Sequence, residues 1–177
     1  MYEVRELEMV NELRRPDVAQ MQDLPADVRN FLSTYAWQRI DPVPWAEPKA
    51  PTSELRVGLV ATACEKLADQ PHYSGVETGG DPTPRIVSAA LPVSALANDY
   101  PQQAFDHAGL TADPNLLVPL DRMRELEAAG VIGSFSPRVV SMCGHIAKPK
   151  RLIDETAPQI AELFAEDGAG AVVLLPA

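Results

Sequence analysis

Two short polar segments of this sequence carry residue types suited to binding a small ligand. Thr78-Gly79-Gly80-Asp81 combines backbone donors, which glycine leaves accessible, with a carboxylate that could meet an amine. The same residues, followed by Pro82, are also typical of an ordinary turn, and the Lys-Ser/Thr ending of a phosphate loop is absent. Asp106-His107 offers an acid–base pair or half of a metal site, although adjacent side chains generally point in different directions. Binding and turn formation remain open for both segments.

A second group of candidates lies further along the chain. Cys143 and His145 are two residues apart, so a strand would place both side chains on one face, where a histidine can activate a thiolate. A buried free cysteine, however, usually behaves as a small hydrophobic residue. Arg122 lies in the first turn of a predicted helix and could bind a substrate carboxylate through its planar guanidinium, or be solvated. No cysteine spacing is typical of zinc, and we predict no metal site.

Composition limits the kind of protein that can position these residues. With 177 residues, 46% of them hydrophobic and 23% charged, the chain predicts one globular core. The net charge of −10 argues against nucleic acids and anionic membrane surfaces, which require clustered cations. Small molecules or other proteins are the expected partners. No apolar run is long enough to span a bilayer, and the charged start is unlike a signal peptide, so we expect a cytoplasmic protein.

The hydrophobic pattern predicts two regions. Residues 1–53 form a helical extension and a proline-rich linker, with helices over residues 1–15 and from about Asp23 to Tyr35. Residues 54–177 form a single α/β domain, in which short apolar runs alternate with helical patterns. This alternation predicts a mainly parallel, Rossmann-like sheet with helices on both faces. The predicted strands are 55–62, 85–91, 139–142 and a fully buried 170–175; the predicted helices are 119–127 and 150–166, the latter interrupted at Pro158.

The order of several short motifs resembles the selenoprotein B subunits of the glycine, sarcosine, betaine and D-proline reductases. The resemblance runs from about Arg56 to the end of the chain. Its motifs are Arg56-Val57-Gly58-Leu59-Val60-Ala61-Thr62-Ala63, Thr78-Gly79-Gly80-Asp81, Phe105-Asp106-His107, Asp113-Pro114-Asn115, Pro119-Leu120-Asp121-Arg122-Met123-Arg124-Glu125-Leu126, Gly130-Val131-Ile132-Gly133-Ser134, Gly144-His145-Ile146 and Glu155-Thr156-Ala157-Pro158.

The resemblance implies an oxidoreductase that reductively cleaves a C–N bond in an amino-acid-like substrate. In that family a selenocysteine or cysteine follows the terminal strand, which here corresponds to a position beyond Ala177, so no catalytic residue is expected within the chain. The resemblance also implies a partner subunit that carries a carbonyl (pyruvoyl-type) group, and no cofactor in this chain. The expected substrate-binding residues are Thr78, Gly79, Gly80, Asp81, Asp106, His107, Arg122 and His145.

Two other functions remain open. The chain could be a non-catalytic binding or assembly subunit that recognises a small amine or carboxylate ligand or a partner chain. It could also be a metal-assisted enzyme that uses His107, His145 and nearby carboxylates. We expect a homo- or hetero-oligomer with other reductase subunits, because a chain that ended at Ala177 would expose an apolar strand edge near Val173 to Leu175.

Overall fold

The computed structural model of the chain describes residues 20–35, 41–74, 79–99, 107–144 and 146–176. They belong to two compact units, divided between Ala46 and Glu47. In the first unit, helix α1 (Ala26–Thr34) confirms the second predicted helix. The helix predicted over residues 1–15 lies outside the described residues, and the boundary predicted at residue 53 stays a prediction.

The second unit is an α/β structure whose elements alternate along the chain. Its strands are β1 (Arg56–Ala61), β2 (Glu65–Lys66), β3 (Arg85–Ser88), β4 (Ala97–Asn98), β5 (Ser134–Phe135), β6 (Arg138–Ser141) and β7 (Ala171–Leu175). Its helices are α2 (His107–Ala112), α3 (Leu120–Ala128) and α4 (Ala157–Glu166).

Strand β1 is the centre of the main sheet. It pairs in parallel with β7 along one edge, and with β5 and then β6 along the other. Strand β3 lies outside β6 and runs antiparallel to it, with Arg85 opposite Ser141. The amino end of β3 therefore reaches the edge at which the parallel strands finish. Strands β2 and β4 form a separate antiparallel pair beside that edge.

Alternating side chains of β1 pack on opposite faces of the sheet. Val57, Leu59 and Ala61 belong to a core that includes Leu120 and Met123 of α3. On the other face, Val60 packs with Val140, Met142 and Phe164, the last of which belongs to α4. Burying both faces of a parallel strand explains why its sequence is a continuous apolar run. The predicted α/β class, with a mainly parallel sheet and helices on both faces, is confirmed.

The helix predicted from Lys150 to Glu166 is one helical region with a change of geometry. Residues Leu152–Thr156 form a π-helical turn, and α4 continues from Ala157 with Pro158 in its first turn. Proline lacks the N–H that would continue the hydrogen-bond ladder, and the π-helical turn directly before it is where the ladder changes. The helical spacing of Leu152, Ile153, Ile160 and Leu163 predicts that these four side chains face inward. Ile153 is 61% exposed, so the prediction is wrong for that residue, and the buried residues of the region are Thr156 and Phe164.

The prediction that residues 170–175 form a fully buried strand is wrong. Within the described part of the chain, β1 is the sole strand that pairs with β7. Val172, Val173 and Leu174 are 40%, 42% and 73% exposed. An apolar cavity of about 470 Å³ lies beside the strand, between α4 and the sheet, and Leu174 and Ile153 are among its lining residues. Edge position explains the exposure, because one side of the strand has no covering neighbour.

Among the residues that the structure describes, no helix combines the length and the apolar character that crossing a bilayer requires.

The contact between β1 and α4 depends on a residue without a side chain. A Cβ added at Gly58 would lie 2.6 Å from Cδ1 and Cε1 of Phe164. Gly58→Ala is therefore expected to lower the free energy of unfolding by about 1–3 kcal/mol through overpacking, as measured by urea denaturation. The cost should be smaller in a Phe164→Leu background, where the opposing ring is gone. An equal cost in both backgrounds would contradict this explanation.

Candidate functional site

Arg85, the first residue of β3, organises the segment that leads into it. Its guanidinium is 6% exposed and stacks on the Tyr73 ring, with Cζ 4.1 Å from the ring centroid. It donates to the backbone oxygens of Pro71 and His72, each at 3.0 Å, and to Oγ1 of Thr83 at 2.8 Å. A cation this deeply buried requires such partners. The path of residues 71–74 is consequently set by one side chain of the sheet.

Asp81 completes this arrangement from the other side. Its carboxylate accepts hydrogen bonds from the backbone nitrogens of Ser74 at 3.0 Å and Thr83 at 2.9 Å, and lies 3.5 Å from the Arg85 guanidinium. Burial alone would raise the pKa of Asp81, but the hydrogen bonds from Thr83 and Ser74 and the charge of Arg85 outweigh it and lower that pKa. Asp81 is thus an ionised anchor of the loop.

The two glycines before Asp81 bring the loop against the segment that follows β6. Gly79 and Gly80 have φ of +127° and +92°, a region that side chains rarely adopt. The backbone nitrogen of Lys148 donates to the Gly79 oxygen at 3.2 Å, and a Cβ at Gly79 would lie 2.9 Å from Lys148 Cδ. Glycine here permits close approach of two segments, in agreement with the turn predicted from the sequence.

Between these segments lies a polar cavity of about 510 Å³. Its lining residues are Pro71, His72, Ser74, Gly80, Asp81, Pro82, Thr83, Arg85 and Arg151. Arg151 is 60% exposed and donates through Nε to Glu155 at 3.2 Å. Within the described part of the chain, its two terminal nitrogens make no hydrogen bond. Arg151 is therefore paired through Nε but can still donate to an anion through its terminal nitrogens, whereas the guanidinium of Arg85 is buried and its donors are already used.

His72 occupies the wall of the same cavity and is held by a carboxylate. Its Nδ1 lies 2.5 Å from Oδ1 of Asp99, while Oδ2 of Asp99 accepts from the Tyr73 nitrogen at 2.6 Å. The Asp99 nitrogen donates to the Cys64 oxygen at 3.0 Å. His72, Asp99 and Arg151 are not among the residues predicted from the sequence to bind substrate. The basic run Lys148-Pro149-Lys150-Arg151, in the segment between β6 and the last helical region, is the signal that could have found Arg151.

The two cysteines lie beneath this region, where β1 and β6 end. Cys64 and Cys143 are fully buried and cluster with Tyr73. Cys64 has a positive φ of 52°, unusual for a residue with a side chain, and its nitrogen donates to Met142. Burial, reinforced by the adjacent Cys143 thiol, raises the pKa of Cys64, and burial likewise raises that of Tyr73. A buried thiol of raised pKa is a poor nucleophile.

The residues expected to bind substrate do not all fall in this cavity. Gly80 and Asp81 line it, and Gly79 is adjacent to them. Arg122 is not among its lining residues; it is 59% exposed and pairs with Glu125 at 2.8 Å within α3. Thr78, Asp106 and His145 lie outside the described residues, as does the side chain of His107, whose backbone begins α2. The roles of these residues stay predictions.

The hypothesis of a metal-assisted enzyme rests on residues that are not described. No group of three His, Cys, Asp or Glu side chains suited to a metal occurs within residues 20–35, 41–74, 79–99, 107–144 and 146–176. The side chains of His107 and His145, which the hypothesis names, lie outside that set.

Arg124, which follows Arg122 in α3, has a structural role, since it pairs with Asp121 at 2.5 Å and donates to the Ala89 oxygen.

Comparison with known proteins gives one family and two curated relatives. Residues 98–177 match the family described as glycine/sarcosine/betaine reductase selenoprotein B. The chain is 28% identical over 138 residues to the D-proline reductase subunit gamma of Acetoanaerobium sticklandii, covering 76% of this chain and 54% of that protein. It is 30% identical over 149 residues to the sarcosine reductase complex component B subunit beta of Peptoclostridium acidaminophilum, covering 81% of this chain and 33% of that protein.

These matches confirm the resemblance predicted from the sequence, and the relatives are named as parts of multi-component reductases. The chain spans 54% and 33% of the lengths of the two relatives. No solved structure matches the chain at a comparable level of significance.

The role of Asp81 as a loop anchor predicts a pH-dependent effect of its removal. Asp81→Asn should lower the free energy of unfolding near pH 7 by about 1–3 kcal/mol, because Arg85 loses its carboxylate. Since the pKa of Asp81 lies below its ordinary value of 3.8, this stabilisation is present above that value and is lost as the pH falls.

The difference between wild type and variant should therefore shrink below about pH 4 in urea titrations. Asp154→Asn, which removes an exposed partner of Lys150, is the control and should cost at most about 0.5 kcal/mol. If Asp81→Asn lowered the free energy of unfolding by the same amount near pH 7 and below about pH 4, the assigned role would be contradicted.

Proposed function

Because this chain is related to the glycine/sarcosine/betaine reductase selenoprotein B family, we propose that it is the substrate-positioning part of a reductase component. The substrate class is a small amino acid or N-methylated amino acid, and the reaction is reductive cleavage of its C–N bond. The relatives' names supply the reductase activity, and cleavage of the C–N bond is what the resemblance implies. The polar cavity at the amino end of β3, beside the carboxyl end of β6, is the observation that supports a role in binding.

The chemistry of the cavity suits the carboxylate of such a substrate. Arg151 presents terminal nitrogens that can bind a carboxylate in the planar, two-bonded manner of guanidinium groups. Gly80 lines the cavity and has no side chain, so a ligand can approach the backbone closely there. The cavity lies at the edge of the sheet where ligands of open α/β folds are generally bound. We keep His145 and His107 as further proposed binding residues, since both lie within residues 98–177, which match the family.

The nucleophile of the reaction is proposed to lie outside these 177 residues. The chain contains two cysteines, and both are buried, with the pKa of Cys64 raised. Neither suits attack on a substrate carbon. We therefore assign the attack on the α-carbon, which displaces the amine with the electron pair of the C–N bond, to a selenocysteine or cysteine encoded after Ala177. A carbonyl (pyruvoyl-type) group of a partner subunit would activate the amine, and this chain would hold no cofactor.

The proposed setting is a cytoplasmic assembly with other reductase subunits. Two free, buried cysteines are in keeping with a reducing compartment. The relatives are named as subunits of reductases, which supports other reductase subunits as partners. If the chain instead acts as a non-catalytic binding subunit, the same cavity would bind ligand without turnover.

Binding of sarcosine tests the proposed cavity. Calorimetric titration of wild type with sarcosine should give saturable binding, and Arg151→Gln should weaken it about tenfold or more because a charged hydrogen-bond donor is lost. Lys150→Gln is the matched control, since Lys150 is adjacent, exposed and absent from the cavity wall, and should bind like wild type. If both variants bound sarcosine equally weakly, the effect would come from the loss of one positive charge and not from a contact in the cavity. Absence of wild-type binding would refute the proposal.

The proposed nucleophile is tested on the protein from its native host. Sequencing the coding DNA past codon 177 should reveal an in-frame selenocysteine codon or a cysteine codon, and the intact mass of the native protein should exceed that of the 177-residue chain. If the native mass equals that of the 177 residues, cleavage by this mechanism is excluded and the non-catalytic binding subunit becomes the better reading.

A further inference from the structure

We propose that His72, held by Asp99, is the group that selects ligands bearing an N–H over fully substituted amines in the polar cavity. The inference rests on the proposed function, because it concerns the amine end of the same ligand whose carboxylate is assigned to Arg151. His72 would be a specificity-determining residue in addition to those predicted from the sequence.

The geometry shows which nitrogen of the ring is engaged and which is left for a ligand. Nδ1 of His72 lies 2.5 Å from Oδ1 of Asp99, and a carboxylate can only accept, so Nδ1 carries the proton. In the neutral ring, Nε2 is then an acceptor. A ligand ammonium or secondary amine can donate to it, whereas a quaternary ammonium cannot.

The dyad is held in place by the surrounding backbone. The second oxygen of Asp99 accepts from the Tyr73 nitrogen at 2.6 Å, and Asp99 is only 14% exposed. The carbonyl of His72 accepts from the buried guanidinium of Arg85 at 3.0 Å. Both the carboxylate and the histidine backbone are therefore fixed before a ligand arrives, which reduces the entropy lost on binding.

The ring itself is accessible. His72 is 82% exposed and lines the cavity that also contains Arg151. The cavity thus combines the guanidinium of Arg151, which has available donors, with Nε2 of His72, an acceptor that is supported by the carboxylate of Asp99. The first group suits the carboxylate of a zwitterionic amino acid, and the second suits its ammonium group. The charge of Asp81 does not serve this purpose, because it is matched by Arg85.

Sarcosine and betaine are matched probes for this inference. Both carry a carboxylate on a methylated glycine, but sarcosine has N–H donors and betaine has none. In calorimetric titrations, wild type should bind sarcosine about tenfold more tightly than betaine, the value of one hydrogen bond from a charged group. His72→Leu should abolish the preference by weakening sarcosine binding alone.

Asp99→Asn provides a second variant that keeps the size of the side chain. An amide can donate to Nδ1 and thereby turn Nε2 from acceptor into donor, so the sarcosine preference should fall here too. The Nδ1-protonated tautomer, visible in long-range proton–nitrogen NMR spectra, should be present in wild type and lost in this variant. Glu166→Gln, an exposed carboxylate outside the cavity wall, is the control and should retain the preference.

The outcomes separate the two proposals. If wild type binds both probes and His72→Leu weakens them equally or not at all, the inference is overturned while the cavity keeps its proposed function. An Nε2-protonated ring in wild type also overturns it. If wild type binds neither probe, the proposed function fails and the inference fails with it.

Discussion

The buried guanidinium of Arg85 is the interaction on which the candidate site depends. It reaches the backbone oxygens of Pro71 and His72 and lies against Tyr73 and Asp81. Desolvating a cation costs several kcal/mol, which only good geometry and full hydrogen bonding can offset. Here the compensation comes mostly from backbone carbonyls of an irregular loop. The loop therefore cannot rearrange without leaving the charge unpaired, and this makes a segment without regular secondary structure rigid enough to form a cavity wall.

The cavity wall is layered from inside to outside. Cys64, Cys143 and Tyr73 form the dry layer under the ends of β1 and β6. Arg85 and Asp81 form a charged but internally matched layer above it. His72 and Arg151 are the outermost groups, and they are the ones that solvent and ligands can reach. The groups with a raised or lowered pKa, Cys64, Tyr73 and Asp81, belong to the two inner layers and have structural roles. A shifted pKa would therefore be a misleading indicator of the ligand-binding residues in this protein.

Local sequence patterns predicted those parts of the fold that are determined by residues close together along the chain. The apolar runs gave β1, β6 and the start of β3, and Pro158 marked the change of helix geometry before α4. Strands β2, β4 and β5 have two residues each, too few for any periodicity to be visible. The burial of β7 was predicted wrongly because an apolar run is compatible both with a central strand and with an edge strand, and edge strands are more exposed. The turn at Gly79 and Gly80 was predictable, whereas the pairing of His72 with Asp99, 27 residues apart, arises only from the fold.

The antiparallel direction of β3 has a consequence for how such a site can diversify. In a parallel sheet, ligands bind beside the loops that follow the carboxyl ends of the strands. Each such loop also begins the connection to the next parallel strand, which must cross one face of the sheet. Because β3 is reversed, the wall that contains His72 and Asp81 precedes its strand and returns from the β2 side without crossing a face. Its length and residues can therefore change during evolution with little effect on the packing of α3 or α4. Divergence among relatives with different ligands is best sought in this loop.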